Sequence, residues 1–156
     1  MKPVINLDEL ELEGEPAKGQ YGVVCEQIGA KLLGYNFSII PPGGKSSPFH
    51  NHRINEEMFL VIEGEGILRF GDQEYPVRKH DVVACPPGDR SVAHQFLNTG
   101  SVDFKYFALS TKLGYEIAEF PDSDKVTVTV GDYGNVQLSH AFKVEQAVDY
   151  FEGEER

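Results

Sequence analysis

The chain has no tryptophan, only two methionines and only two cysteines. Cys25 and Cys85 lie far apart and show neither secretory nor thiolate-metal spacing, which excludes a disulfide framework and a zinc knuckle. A reduced, cytoplasmic protein is the expectation. No apolar run approaches the ~20 residues of a membrane-spanning helix, and Met1-Lys2-Pro3 does not open a signal peptide. Basic residues are scarce as well, 14 Lys and Arg against 25 Asp and Glu, for a formal net charge of -11. The basic footprint that nucleic acid requires is missing, and so is any helix-turn-helix pattern, so neither nucleic acid nor membrane is expected as a partner.

What is present suits a turn-rich β protein. Hydrophobic residues make up 40%, there are ten Phe and seven Tyr, and glycine and proline are frequent at 16 and 9. At 156 residues the chain is long enough for one domain with some decoration. Charge divides it: residues 21–110 are nearly neutral at -2, while the flanks 1–20 and 111–156 together carry -9. This partition sets the expected organisation as an N-terminal arm over 1–20, a barrel over 21–110 and a C-terminal extension over 111–156 that packs on the barrel.

The arm alternates weakly through Val4, Ile5, Leu7, Leu10 and Leu12 and reads as extended, an edge or dimer strand. Strands are expected at 21–30, 32–40, 65–70, 73–77, 81–85, 91–97 and 102–110, separated by Gly-, Pro- and Asn-rich turns. Gly71-Asp72 is a tight hairpin signal, and 91–97 is expected to pair with 102–110 across Asn98-Thr99-Gly100-Ser101. Further strands are expected at 115–120, 126–130 and 136–138, then a helical turn within 144–151 and a frayed acidic end. Many short strands with regular turns spell a sandwich or barrel.

The chemistry-bearing stretch is Gly44 to Gly64. His50 and His52, one residue apart on a strand, point the same way. Glu57 is an odd number of residues from His52, so the chain must leave the strand across residues 53–56 and re-enter with its phase reset. A second strand over 58–63 then carries Glu57 back beside the histidines. Two imidazoles and a carboxylate from adjacent strands are the raw material of a divalent metal site. Downstream, His94 begins a run in which 94, 96 and 98 share one strand face, so a third imidazole stands with Phe96 and Asn98.

On these residues the chain resembles the cupin superfamily of small jelly-roll barrels over about residues 35–110. Its first motif, Gly-x5-His-x-His-x3,4-Glu-x6-Gly, is met by Gly44, His50, His52, Glu57 and Gly64. Its second, Gly-x5-Pro-x-Gly-x2-His-x3-Asn, is met by Pro86, Gly88, His94 and Asn98, with His80 in place of the leading glycine and five residues between Gly88 and His94. The segments at 121–126 and 147–154 are also similar to a group of bacterial single-domain cupins, from which no activity follows. The resemblance implies an all-β, double-stranded β-helix (jelly-roll) fold. It further implies a divalent transition metal (Fe, Mn, Ni, Zn, Cu or Co) held by His50, His52, Glu57 and His94, with positions left open.

Glu56 competes with Glu57, but the six-residue interval to Gly64 selects Glu57. His80 and His140 read as surface residues and Cys85 as an inert buried thiol. Phe37, Phe49, Phe59 and Phe96 are candidate apolar walls for a small organic ligand. Tyr106, Asn98 and Gln95 are candidate proton-handling or polar groups, although no spacing marks them and the catalytic residues stay unassigned. Two function classes remain. One is a metal-dependent enzyme (an oxygenase, a sugar isomerase or epimerase, or a decarboxylase). The other is a binding protein whose metal fixes a ligand or props up the barrel. An exposed-edge barrel of this kind is expected to form a homodimer.

Overall fold

The computed structural model describes residues 2–132 and 135–154. The far end, where fraying is expected, lies partly outside them. Thirteen strands are found among the described residues: β1 (Glu13–Glu15), β2 (Gly19–Val23), β3 (Leu33–Ile40), β4 (Asn51–His52), β5 (Glu57–Glu63), β6 (Glu65–Phe70), β7 (Gln73–Arg78), β8 (Val82–Cys85), β9 (His94–Leu97), β10 (Phe104–Thr111), β11 (Tyr115–Phe120), β12 (Lys125–Asp132) and β13 (Asn135–Lys143). One four-residue helix, α1 (Cys25–Ile28), and four 3-10 turns accompany them.

They form three sheets: β1-β2-β3-β10-β5-β8, β7-β6-β9 and β13-β12-β11-β4. Every ladder is antiparallel. The all-β expectation therefore holds, and strict alternation builds the core. On β3, β5 and β10 the inward residues Ile40, Phe59, Val61, Phe104 and Tyr106 meet Leu68, Val77 and Phe96 from the smaller sheet. The outward residues Tyr35, Phe37, Ile39, Ile62 and Phe107 form a second cluster, covered by Ile5, Leu7, Leu10 and Leu12 of the N-terminal arm. The arm thus seals the back of its own large sheet, and β1 is that sheet's edge.

Three local expectations are overturned. The strand expected over 21–30 stops at Val23, because Cys25–Ile28 coils into α1 and is ended by Gly29 at φ 79°. The strand expected over 91–97 begins at His94, since Asp89 caps a 3-10 turn at Arg90–Val92 by accepting from Ser91 N–H. Most consequentially, β9 does not pair with β10. β9 pairs with β6, while β10 lies between β3 and β5 in the other sheet. The chain changes sheets at Asn98, which is buried and donates through Nδ2 to the carbonyls of Ile40 (2.7 Å) and Val102 (2.9 Å). That crossing is a jelly-roll connection and not a hairpin.

At Gly71-Asp72 the tight hairpin forms, with Phe70 opposite Gln73. Gly64, the last glycine of the histidine stretch, sits at φ 82°, and a Cβ there would lie 2.6 Å from the Asp103 carbonyl oxygen. Only glycine fits that turn.

Candidate metal centre

β4 is two residues long, and an isolated bridge between His50 and His94 extends it backwards. His50 and His94 exchange backbone hydrogen bonds at 3.3 and 2.8 Å, which joins the two histidine segments directly. Alternation turns His50 and His52 inward and Asn51 the other way, where its fully buried Nδ2 donates to the Gly88 carbonyl and to Glu119. The chain then leaves the strand over 53–56, as the phase argument requires, and re-enters at Glu57.

Glu116 of β11 holds that excursion in place. One of its carboxylate oxygens accepts from the backbone N–H groups of Arg53 (3.1 Å) and Ile54 (3.2 Å). The other accepts from Asn55 N–H (2.9 Å) and Asn55 Nδ2 (2.7 Å).

Four ligand atoms converge: those of His50, His52, Glu57 and His94 lie within 4.8 Å of one another. His50 Nε2 is 3.1 Å from His52 Nε2, and Glu57 Oε2 is 3.2 Å from His52 Nε2 and 3.0 Å from His94 Nε2. The outer nitrogen of each ring faces an acceptor. His50 Nδ1 donates to the Pro48 carbonyl (2.7 Å), His94 Nδ1 to the Val92 carbonyl (3.2 Å), and His52 Nδ1 faces Glu116 Oε2 at 3.4 Å. His50 and His94 can therefore place a proton outward and present a bare Nε2 inward when neutral, whereas His52 Nδ1 is buried without a hydrogen bond. Imidazole nitrogens and a carboxylate then crowd one another at the centre. A cation resolves that conflict, and spacings of 3.0–3.2 Å suit neighbouring donors around an ion bonded at about 2.1 Å. The donor set fits a divalent transition metal.

Without an ion, protons divide unequally. Burial, with His94 and His52 close by, lowers the His50 pKa to about 4. Burial also works against charge on His52, but its contacts with Glu116 and Glu57 outweigh that and raise it to about 9. On Glu57, burial is overcome by hydrogen bonds from His52 and His94, which hold its pKa well below the ordinary carboxylate range.

The cluster opens onto a cavity of about 530 Å³ whose walls include Phe59, Tyr106, Ala108, Asn36 and Ser38. Among the four expected apolar walls, only Phe59 lines it. Phe37 points outward into the arm's cluster, Phe96 is in the core, and Phe49 is buried beneath the Arg69 guanidinium, 4.1 Å from the ring centre. Tyr106 lines the cavity, and burial pushes its hydroxyl pKa up. Asn98 and Gln95 do not. Asn98 ties the sheet crossing, and Gln95 donates to the Ser47 carbonyl while accepting from Arg69. Glu56, His80 and His140 are exposed, and Cys85 is buried with its thiol pKa pushed up by burial.

Two neighbours of the site have no signal in sequence spacing. Glu116 braces both His52 and the 53–55 loop, and the Phe120 ring stacks on His50 at 5.8 Å and 17°. Both point from one face of β11, which pairs with β4 at Asn51 and His52. The pattern of 115–120 announces a strand but not its neighbour.

Comparison with known proteins agrees with this geometry. Residues 36–110 match the family described as "Cupin domain". An uncharacterized protein of Methanocaldococcus jannaschii is 30% identical over 73 residues, 47% of this chain and 55% of that protein. An oxalate-binding protein of Thermotoga maritima is 28% identical over 68 residues, 44% of this chain and 54% of that protein. The chain thus spans about half the length of these curated relatives. Among solved structures, a sugar phosphate isomerase of the cupin superfamily from Silicibacter pomeroyi superposes with a TM-score of 0.78 at 24% identity, covering 93% of this chain and 95% of that one. A putative sugar phosphate isomerase from Acidithiobacillus ferrooxidans gives 0.78 at 19% identity, covering 95% and 96%. At these identities the likeness is one of fold, and it extends over the arm and the β11–β13 sheet as well as the barrel.

Proposed function

From the premise that this chain carries a cupin domain over residues 36–110, we propose that it binds a divalent transition metal through His50, His52, Glu57 and His94 and uses it to hold a small organic molecule in the barrel mouth. The observation that carries this reading is the convergence of three inward imidazole nitrogens and one carboxylate oxygen within 4.8 Å, at the floor of an open cavity. His94 is nearly sealed from solvent, whereas His50, His52 and Glu57 line the cavity, so an ion held by the four would meet a ligand from that side.

When bound, the metal would act as a Lewis acid on ligand oxygens. The chain's own residues would do the rest. Phe59 and Ala108 would exclude water beside the ligand, Asn36 and Ser38 offer hydrogen bonds, and Tyr106 keeps its proton and can donate it. Such a site suits isomerisation or decarboxylation of a small oxygen-rich molecule.

A second reading is capture without turnover. It is favoured by the lining itself: among the described residues that line the cavity, no carboxylate or imidazole stands beyond the proposed ligands. The same chain is proposed to assemble as a homodimer.

Elemental analysis of protein purified without a metal-affinity tag tests the first step. About one equivalent of a transition metal is expected in the wild type, and His50→Ala/His52→Ala should lose it while staying folded. Retention of metal by that double variant would show the ligand assignment to be wrong. Turnover on a panel of keto acids, sugars and catechols then separates catalysis from capture, because a ligand that only raises Tm supports the second reading.

A further inference from the structure

The lysines at the rim of the cavity define what sort of molecule enters it. Among the described lining residues, the formally charged side chains other than histidine are Glu57, Lys18 and Lys45. Glu57 belongs to the cluster. With a divalent ion in place, the walls therefore carry a positive surplus, in a chain whose formal net charge is -11. A cationic recess in an acidic molecule both steers and selects its ligand.

Lys45 is the better placed of the two. Its backbone is pinned on both sides: Lys45 bridges Leu97, Ser46 N–H donates to the Phe96 carbonyl (2.9 Å), and Asn98 N–H donates to the Gly44 carbonyl (2.9 Å). Its side chain is exposed and makes no salt bridge among the described residues. Asp122, which feels its charge, is already held at two points by Arg69 (2.9 and 3.0 Å). Lys18 is paired with Glu15 at 2.9 Å on the surface, a contact that an anion of higher charge can displace. The same cavity wall offers Asn36, Ser38 and Ser46, groups suited to hydroxyls.

We propose, resting on the metal-site reading above, that the ligand is a small hydroxylated molecule with a terminal anionic group, a phosphate ester or a carboxylate. In this arrangement its oxygen-rich end faces the histidine cluster, and its anionic end meets Lys45, with Lys18 as a second contact. An uncharged sugar would make no ion pair with Lys45, whose exposed side chain forms no salt bridge among the described residues. The selectivity therefore resides in the charge and not in the size of the cavity.

Calorimetric titration with fructose 6-phosphate, gluconate and uncharged fructose tests this, with metal content measured on the same samples. At least one anion should bind roughly tenfold or more tightly than fructose, and the preference should shrink as salt rises. Lys45→Ala should remove most of that preference, about tenfold, without changing metal content, and Lys45→Arg should restore much of it. The relative strength of the two anions identifies the phosphate or the carboxylate as the group recognised. Fructose binding as tightly as both anions, no binding of either anion at about 10 mM, or an unaltered preference in Lys45→Ala would overturn the inference. If wild-type protein holds no metal yet shows Lys45-dependent anion binding, the metal reading alone falls. Metal at full occupancy with no Lys45 dependence sinks this inference alone.

Discussion

His80 holds its backbone at φ 76°, in the left-handed region that costs an L residue roughly 1–2 kcal/mol. It occupies the place of the leading glycine in the second cupin motif, and the structure supplies the reason glycine belongs there. The Lys79-His80 turn must let His80 N–H donate to the Val61 carbonyl (2.8 Å) while Asp81 closes back on Arg78 (3.0 Å). The imidazole itself is exposed. His80→Gly should therefore stabilise the protein by about 0.5–1 kcal/mol once the extra freedom of glycine in the unfolded chain is deducted. In a thermal melt that is a rise in Tm of about 2–4 °C per kcal/mol, and an unchanged or lower Tm would show that the turn is not strained. Glu116 presents the opposite case, a residue that no motif marks but that the site needs. It approaches His52 Nδ1 at 3.4 Å and ties down Arg53, Ile54 and Asn55. Glu116→Gln is expected to weaken metal affinity about 10–100-fold in a chelator competition, with fold retained. Glu119→Gln on the same strand, which loosens Asn51 and Arg53 instead, should cost stability while leaving affinity nearly intact. Equal affinity losses in the two variants would reduce Glu116 to a loop brace.

At the level of strands, what a sequence reveals and what it hides have different physical causes. Alternation and turn chemistry are local, so β3, β5, β6, β7, β8 and β10 were legible within two residues, as was the interruption between His52 and Glu57. Pairing is not local. β9 and β10 follow one another across a turn-rich Asn-Thr-Gly-Ser and invite a hairpin, yet they belong to different sheets. What sends them apart is the carboxamide of Asn98, which bonds carbonyls at Ile40 and Val102 and accepts from Gly100 N–H (3.0 Å). A residue considered for the pocket thus turns out to be a structural tie between sheets. The same limit explains the misplaced aromatic walls, because Phe37 is inward or outward according to which face of β3 meets the arm. Asn98→Ala would remove the amide donor from the buried Ile40 carbonyl and from the more exposed Val102 carbonyl, and a loss of roughly 1–3 kcal/mol is expected from urea unfolding. A loss below about 0.5 kcal/mol would mean that water replaces the amide and the tie is dispensable.

For the whole molecule, the uneven charge acquires a meaning. The acids of the C-terminal extension face arginines of the barrel: Glu119 pairs with Arg53 (2.8 Å), Asp122 with Arg69 (2.9 Å) and Asp124 with Arg90 (2.7 Å). These pairs lie beside β11, which pairs with β4 and carries Glu116 and Phe120 to the cluster. The far side of the extension is different. β13 is a nine-residue edge strand, exposed throughout, and lysine is its only formally charged residue. Leu138 and Phe142 share a face with Val130 of β12 and with Tyr115 and Ile117 of β11, all more than a third exposed. A long, nearly uncharged edge beside an apolar face is a template for another strand, and native proteins cover such edges. Antiparallel pairing with β13 of a second copy preserves the face of every residue. Centred on Ser139, it sets Leu138 of one copy against His140 of the other, with no like-charged pair directly opposed. Light scattering should give twice the 17.4 kDa chain mass, and Leu138→Glu/Phe142→Glu should give a folded monomer, since the two carboxylates at position 138 would then be diagonal neighbours across the seam and each at position 142 would lie diagonal to the partner's position 138. A wild-type mass of one chain at about 100 µM, far above a typical stable dimer's Kd, would rule out the pairing.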